Sequence, residues 1–451
     1  MFKQVLGSRL AATASALVGV LLLAACTTAD ADSVGAPAAS PSPTRTAPTE
    51  PAFVPTGTKV DPRMFGTHVL QIARGNAPIP AHAGAIRLWD SGVAWRQVEP
   101  KQGQINWAAM DQAVSSAEQT GARQVVWVMG SPPKWAAKDP TASGLYGDGT
   151  SSPPSTKAYL NILTKVASRY KGRITAYQVW NEANIKIFYR GGSAEAMAKL
   201  TDRAYSTLKA IDPAAQLVGA STTVRRDGPV KDWYEDYLAA LAKRDWPVDV
   251  LSVHLYPIAD QGAGTRAAYI RMIRPWLKKR GWTGPVWDTE VNYGDRRDFA
   301  KQIVIVPQAR AAGWVARTYI DSLALGIDQV FWYSWNDHLL GIDQLDPRTG
   351  WVTPAGQAYL TVQEWFKGAW WQGCTGELVD PTGKSGATTT CKIQYGTGQK
   401  ARILFSHGGA TTVAMPRSAH QICQLDGSCV PPTGDRLAVG SAPVLVRLAA
   451  P

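Results

Sequence analysis

Two glutamates in this chain end apolar runs that read as buried strands. Glu182 follows Tyr177-Gln178-Val179-Trp180-Asn181, and Glu290 follows Val286-Trp287-Asp288-Thr289. One carboxyl that protonates a departing sugar oxygen, with a second about 5 Å away that attacks the anomeric carbon from the other face, makes the double displacement of a retaining glycosidase. Their spacing of 108 positions is no obstacle. A barrel of eight parallel strands delivers every strand's C-terminal end to one rim.

The elements that must position the pair can be read in order. Strand-like runs fall at Met64 to Val69, Ala85 to Trp89, Gln124 to Met129, Ile174 to Trp180, Gln216 to Gly219, Val248 to His254, Val286 to Thr289 and Gln329 to Tyr333. Amphipathic helical stretches such as Ser155 to Tyr170 and Pro307 to Leu325 lie between most of them, and a last helix is expected from Thr353 to about Phe366. The expected fold class is therefore α/β, a (β/α)8 barrel, with Glu182 and Glu290 at the ends of strands four and seven. After Trp371 the chain turns to Gly, Thr, Ser and β-branched runs, as in a small antiparallel β domain. The stretch Lys138 to Ser155, rich in Gly, Ser, Asp and Pro, follows strand three on the same rim, where a loop either shapes the cleft or lies passive.

Trp180-Asn181-Glu182-Ala183-Asn184 resembles the acid/base signature of glycoside hydrolase clan A, in which Asn directly precedes the acid/base Glu; the clan usually has Pro where this chain has Ala183. The resemblance runs from Phe65-Gly66-Thr67-His68 to Trp332-Tyr333-Ser334-Trp335 and is most similar to families 39 and 5. It implies that Glu182 is the general acid and then base, with a pKa raised enough to stay protonated near neutrality, and that Glu290 is the ionised nucleophile. Arg87 matches the clan's strand-two arginine, which holds the nucleophile ionised. Asn181 would donate to the sugar 2-hydroxyl. His254 and Tyr256, two residues apart and so on one face of strand six, are implied beside the nucleophile. Trp335 is expected to floor the sugar subsite, and His68, Trp135 and Tyr293 are looser rim candidates, whereas Trp89 and Trp127 read as barrel packing.

No cofactor is expected. The chain has no His-Glu-x-x-His run, no Cys-x-x-Cys pair, no phosphate-cradling glycine loop and no Gly-x-Ser-x-Gly elbow, so metal, redox, nucleotide and serine-hydrolase chemistry lack their local signatures. The formal charge is +12, scattered without a long Lys/Arg block, which argues against nucleic acid and for an anionic envelope or lipid headgroups. All 18 Trp fall between Trp89 and Trp371, so the barrel, not the tail, is the expected carbohydrate binder.

Lys3 and Arg9, then the apolar run Ala16 to Leu23, read as a secretory signal over residues 1–25, and Leu23-Ala24-Ala25-Cys26 resembles a bacterial lipobox with Cys26 as the lipidated residue. Ordinary cleavage after Ala25 is the alternative. Residues 26–57, mostly Ala, Pro, Thr and Ser, cannot bury enough surface to offset ordering and read as a tether. The barrel is expected over 58–368 and a β-sandwich-like domain over 369–451. Four of the five cysteines lie in that last stretch, an even set in an exported protein, and of three connectivities the local one, Cys374 with Cys391 and Cys423 with Cys429, is favoured.

The resulting expectation is an exported, lipid-anchored retaining glycoside hydrolase, a monomer at the outer face of the cell membrane. The competing readings are a non-catalytic glycan-binding lipoprotein and a transglycosylase with the same carboxylates.

Overall fold

The computed structural model describes residues 56–449 apart from 225–228, 258–260, 295–303, 337–338 and 377–386. Cys26, the signal segment and nearly all of the tether lie outside the described residues. Among the described residues no helix is long and apolar enough to cross a membrane.

Eight strands form the barrel: β1 (Phe65–Thr67), β2 (Ala85–Leu88), β3 (Gln124–Val128), β4 (Ala176–Gln178), β5 (Gln216–Val218), β6 (Leu251–His254), β7 (Val286–Val291) and β8 (Gln329–Trp332). Each falls within or close to its expected run. Neighbours pair in parallel from β1 to β5, from β6 to β8, and again from β8 to β1 through Val330 opposite Phe65. The β5–β6 seam closes through a bridge from Val218 to Val250 and through Thr222–Thr223, which pair with Val253 and His254. Closure removes the free edges and turns alternate side chains inward.

The inward layer is Ala85, Val126, Ala176, Val218, Val250, Trp287 and Phe331, a separate buried cluster with one residue from each of seven successive strand segments. Two residues further along, the inward side chains become polar at Arg87, Gln178, Ser252 and Thr289, all fully buried or nearly so. Apolar packing therefore plugs the lower barrel and leaves the upper end for chemistry.

The connecting helices are α1 (Trp107–Gln119), α2 (Thr156–Arg169), α3 (Ala194–Ile211), α4 (Pro229–Ala242), α5 (Gly264–Lys279), α6 (Gln308–Leu325) and α7 (Pro354–Phe366). Helix α2 shows the local rule. Ser155 caps it by accepting from Ala158 N–H, and Tyr159, Ile162, Leu163, Val166 and Ala167 bury one stripe against the sheet. After β1 the chain makes only a three-residue turn, Ile72–Arg74, where a full barrel unit has a helix.

The tail is antiparallel: β9 (Ala369–Thr375), β10 (Thr388–Tyr395), β11 (Lys400–Ser406), β12 (Thr411–Ala414), β13 (Ala419–Cys423), β14 (Cys429–Val430), β15 (Arg436–Val439) and β16 (Val444–Leu448). The main sheet runs β9-β10-β11-β16-β13-β14, with β12 and β15 paired beside it. Cys374–Cys391 and Cys423–Cys429 are both bonded, each across a strand pair. Thr58 and Lys59, at the start of the expected barrel, instead pair with Trp371 and Trp370 as an edge strand of this sheet. Residues 53–451 form one compact unit.

Candidate active site

Arg87 is the hub. It is wholly buried, and Nη1 donates to Glu290 Oε1 at 2.7 Å, Nη2 to Asn181 Oδ1 at 2.8 Å and Nε to Gln178 Oε1 at 2.7 Å. Nη1 also lies 2.8 Å from His68 Nε2. His68 Nδ1 is 3.1 Å from the Trp332 carbonyl, which can only accept, so the proton sits on Nδ1 and Nε2 receives the guanidinium. Burial, then the Arg87 charge, holds the imidazole pKa well below its usual value, so the ring is neutral.

Glu290 takes its second hydrogen bond from Tyr256, whose hydroxyl donates to Oε2 at 3.0 Å. His254 Nδ1 lies 3.4 Å from that oxygen and 3.0 Å from Glu182 Oε1. One oxygen from each glutamate and a His254 nitrogen are all within 4.8 Å of one another. Such a trio has metal-ligand types, but the Arg87 guanidinium already occupies Glu290 Oε1, and its fixed positive charge opposes a second cation there.

Local structure aims each carboxylate. Glu182 has a left-handed backbone, φ 44°, and is held there by Ser221 Oγ, which accepts its N–H at 2.9 Å, and by Ala183 N–H donating to Ser221 O. Asn184 then exchanges two hydrogen bonds with the Thr223 backbone. In β7 the register against β6 slips: Val253 faces Asp288, but His254 faces Glu290. This bulge turns Thr289 and Glu290 inward in succession, while Asp288 points out to α5. There Asp288 Oδ2 accepts from Arg266 Nη2 at 2.5 Å, and Oδ1 takes the Leu255 N–H at 3.1 Å, between His254 and Tyr256. Burial pushes the Asp288 carboxyl up to about 6, although Arg266 pulls the other way.

Beneath the acids, Gln178 Nε2 donates to Ser252 Oγ at 2.9 Å, and Ser252 and Thr289 hydroxyls meet at 2.6 Å. Above them is an aromatic wall. Trp89 meets Tyr146 at 5.7 Å and Phe188 at 6.3 Å between ring centres, and belongs to one cluster with Tyr256 and Tyr333. Tyr146 rises from a hairpin, Ser143–Gly144 against Gly147–Asp148, in the loop after β3; Arg96 stacks on its ring at 3.9 Å. Asp90 Oδ2 accepts the Tyr333 hydroxyl at 2.8 Å.

The structure thus brings together Glu182, Glu290, Arg87, Asn181, His254, Tyr256 and His68. It does not bring the side chains of Trp335, Trp135 or Tyr293 to them, although the Trp335 backbone N–H donates to His68 O at 2.9 Å. Trp335 is buried toward α7, 6.2 Å from Tyr359, because the alternation of β8 ends at Trp332; the strand-eight aromatic on this side is Tyr333, edge-on to His68 at 5.0 Å. Trp135 donates to Glu99 O and meets Trp95 edge-on, and Tyr293 is wedged between Trp314 and Trp332 with its hydroxyl on Thr318. Trp127 packs as expected, donating to Val93 O, but Trp89 belongs to the wall rather than to packing alone. Gln178, Ser252 and Thr289 went unrecognised in the sequence, although a glutamine inside an apolar strand is itself a signal of a buried polar partner.

A closed eight-stranded barrel with paired glutamates at the ends of β4 and β7 is the arrangement of the clan A glycoside hydrolases, and the chain is similar to members of that class. Residues 57–274 match the family model described as Glycosyl hydrolase family 10. A β-xylosidase of Geobacillus stearothermophilus is 26% identical over 159 residues, 34% of this chain and 30% of the relative. Endo-1,4-beta-xylanase 3 of Hypocrea jecorina is 24% identical over 220 residues, 45% of this chain and 59% of the relative. The matched segments span less than two thirds of either relative's length. Among solved structures, a family 39 glycoside hydrolase from Bacteroides cellulosilyticus WH2 superposes with a TM-score of 0.62 at 18% identity, over 86% of this chain and 81% of the other, a likeness of fold.

Proposed function

We propose that the chain hydrolyses O-glycosides with retention, Glu182 serving as acid/base and Glu290 as nucleophile. The observation that carries this reading is the approach of the two carboxylates to within 4.8 Å, with Arg87 and Tyr256 both donating to Glu290. Carboxylate oxygens this close favour direct attack on the anomeric carbon over the wider gap that an inverting enzyme keeps for a water. In the first step Glu290 forms a bond to that carbon while the bond to the leaving oxygen breaks and Glu182 protonates it. In the second, Glu182 takes a proton from water, which displaces Glu290. Asn181 uses its carbonyl oxygen on Arg87, which orients its NH2 group to donate to a sugar hydroxyl.

The names of the relatives support β-xylosides as the first substrates to test. A 2-fluoro aryl β-xyloside should trap a covalent adduct, found by mass spectrometry on the peptide bearing Glu290; an adduct elsewhere, or inverted product by NMR, rejects the assignment. We further propose a single-chain enzyme, exported and lipidated at Cys26, on the strength of Leu23-Ala24-Ala25-Cys26. Mass spectrometry of the mature N-terminus tests this, and an unmodified terminus there refutes it.

A further inference from the structure

Helix α5 and the turn after it carry an unusual charge pattern. Residues 261–287 hold six Arg and Lys and not one Asp or Glu. Arg266 is buried on Asp288, but Arg271, Arg274, Lys278 and Lys279 are exposed and Arg280 is partly so. Among the described residues no ion pair engages any of these five. Few acids answer them among the described residues: Asp249 pairs with Lys209, Asp328, exposed in the same groove, accepts the Val286 N–H, and Asp245, next to Trp246, is exposed, so the cations outnumber the carboxylates. Apolar groups are interleaved with the cations. Met272 is 39% exposed, and Trp282, half-buried, leans on Trp246 at 5.0 Å.

Position gives the patch a direction. Helices of the barrel run antiparallel to its strands, so the C-terminal end of α5 lies at the start of β7, on the face opposite Glu182 and Glu290. The groove it borders, lined by Arg274, Lys278, Trp282, Pro285 and Asp328, adjoins a second depression that shares Pro285, Gly326 and Asp328 and reaches Thr58 and Lys59. The chain therefore enters the barrel on the same face.

We propose that this face docks on a bilayer surface rich in anionic phospholipid headgroups, with the catalytic rim turned outward. Cations reach the headgroup phosphates while Trp282 and Met272 sit at the interface. The inference stands apart from the hydrolytic reading, because binding and turnover are measured separately.

The test uses the full chain carrying Cys26→Ala, so that no lipid contributes. Sedimentation should recover it with vesicles containing about one third phosphatidylglycerol and not with pure phosphatidylcholine, and half-molar salt should release it. Each cation near such a surface strengthens binding about fivefold, so Lys278→Gln with Lys279→Gln and Arg280→Gln should weaken it about a hundredfold. Turnover of a soluble aryl glycoside should not change. The same charge loss at exposed Lys392, Lys400 and Arg417 of the tail is the control. Equal loss in the control, undiminished binding in the α5 variant, or binding to neither vesicle overturns the proposal, the last even if an anionic polysaccharide is bound instead.

Discussion

At the scale of single residues, the site divides its two carboxylates by their company. Glu290 accepts from a guanidinium and a phenol, whereas Glu182 faces His254. Glu290→Ala should therefore abolish turnover. Glu182→Ala should slow substrates with poor leaving groups far more than activated aryl glycosides, and azide should partly restore it with retained configuration; steady-state kinetics and NMR of the product check both. Arg87→Lys keeps the charge but cannot reach Glu290, Asn181 and Gln178 at once. It should lower kcat roughly ten- to a hundredfold, since each charge-assisted hydrogen bond contributes about 1.5 to 3 kcal/mol, with KM little moved. His68 gives a pH effect whose sign is fixed by its depressed pKa. The unfolded chain takes up this proton below about 6.5 and the folded chain does not, so stability is whole above that pH and falls as pH drops below it. His68→Gln should show a smaller loss between neutral and acid pH in chemical denaturation; an unchanged loss would mean the ring titrates alike in both states. The glutamates, Arg87 and Asn181 were legible because each follows or lies within a recognisable strand motif. Tyr333 was not, because sequence offers two aromatics, Tyr333 and Trp335, and only the point where β8 stops decides which one faces His68.

At the scale of elements, alternation along β7 would aim Glu290 and Asp288 alike, and the bulge breaks that equivalence. A run of six apolar and polar residues does not announce a bulge, so the sequence placed strand seven correctly yet gave no account of how its last carboxylate turns inward. Asp288 is what fixes the irregularity, accepting the Leu255 N–H on one oxygen and Arg266 on the other. Asp288→Ala leaves the Arg266 guanidinium buried without its carboxylate and should cost about 3 to 5 kcal/mol by urea denaturation. Asp288→Leu with Arg266→Met removes both charges and should recover most of that stability while kcat stays low, because the Leu255 N–H has lost its acceptor. Full recovery of kcat in the double variant would show that the pair acts on stability alone. The hairpin bearing Tyr146 was read only as a loop on the rim, since a ring's reach across to Trp89 and Phe188 is set by neighbouring loops rather than by its own sequence.

At the scale of the whole molecule, the tail is joined to the barrel by specific contacts. The Arg317 guanidinium of α6 lies 3.8 Å from the Phe405 ring centre, the Tyr395 hydroxyl donates to Trp365 O of α7 at 2.8 Å, and a Cβ at Gly313 would come within 3.1 Å of Ala442. The change of composition after Trp371 marked where the barrel ends, but not these contacts or the pairing of Thr58 with Trp371, which join regions remote in sequence. The two disulfides close separations of 17 and 6 residues, and restricting the unfolded chain should contribute about 3 and about 2 kcal/mol. Because strands of one sheet come from both ends of the described chain, that contribution should reach the barrel. Replacing Cys374 and Cys391 together by Ser should lower the calorimetric midpoint while melting stays a single transition, with loss of glycosidase activity following the same curve as loss of tail structure. If the tail instead melts first and leaves an active barrel behind, the sheet that spans both ends is an appendage, and the contacts at Arg317 and Tyr395 carry no coupling.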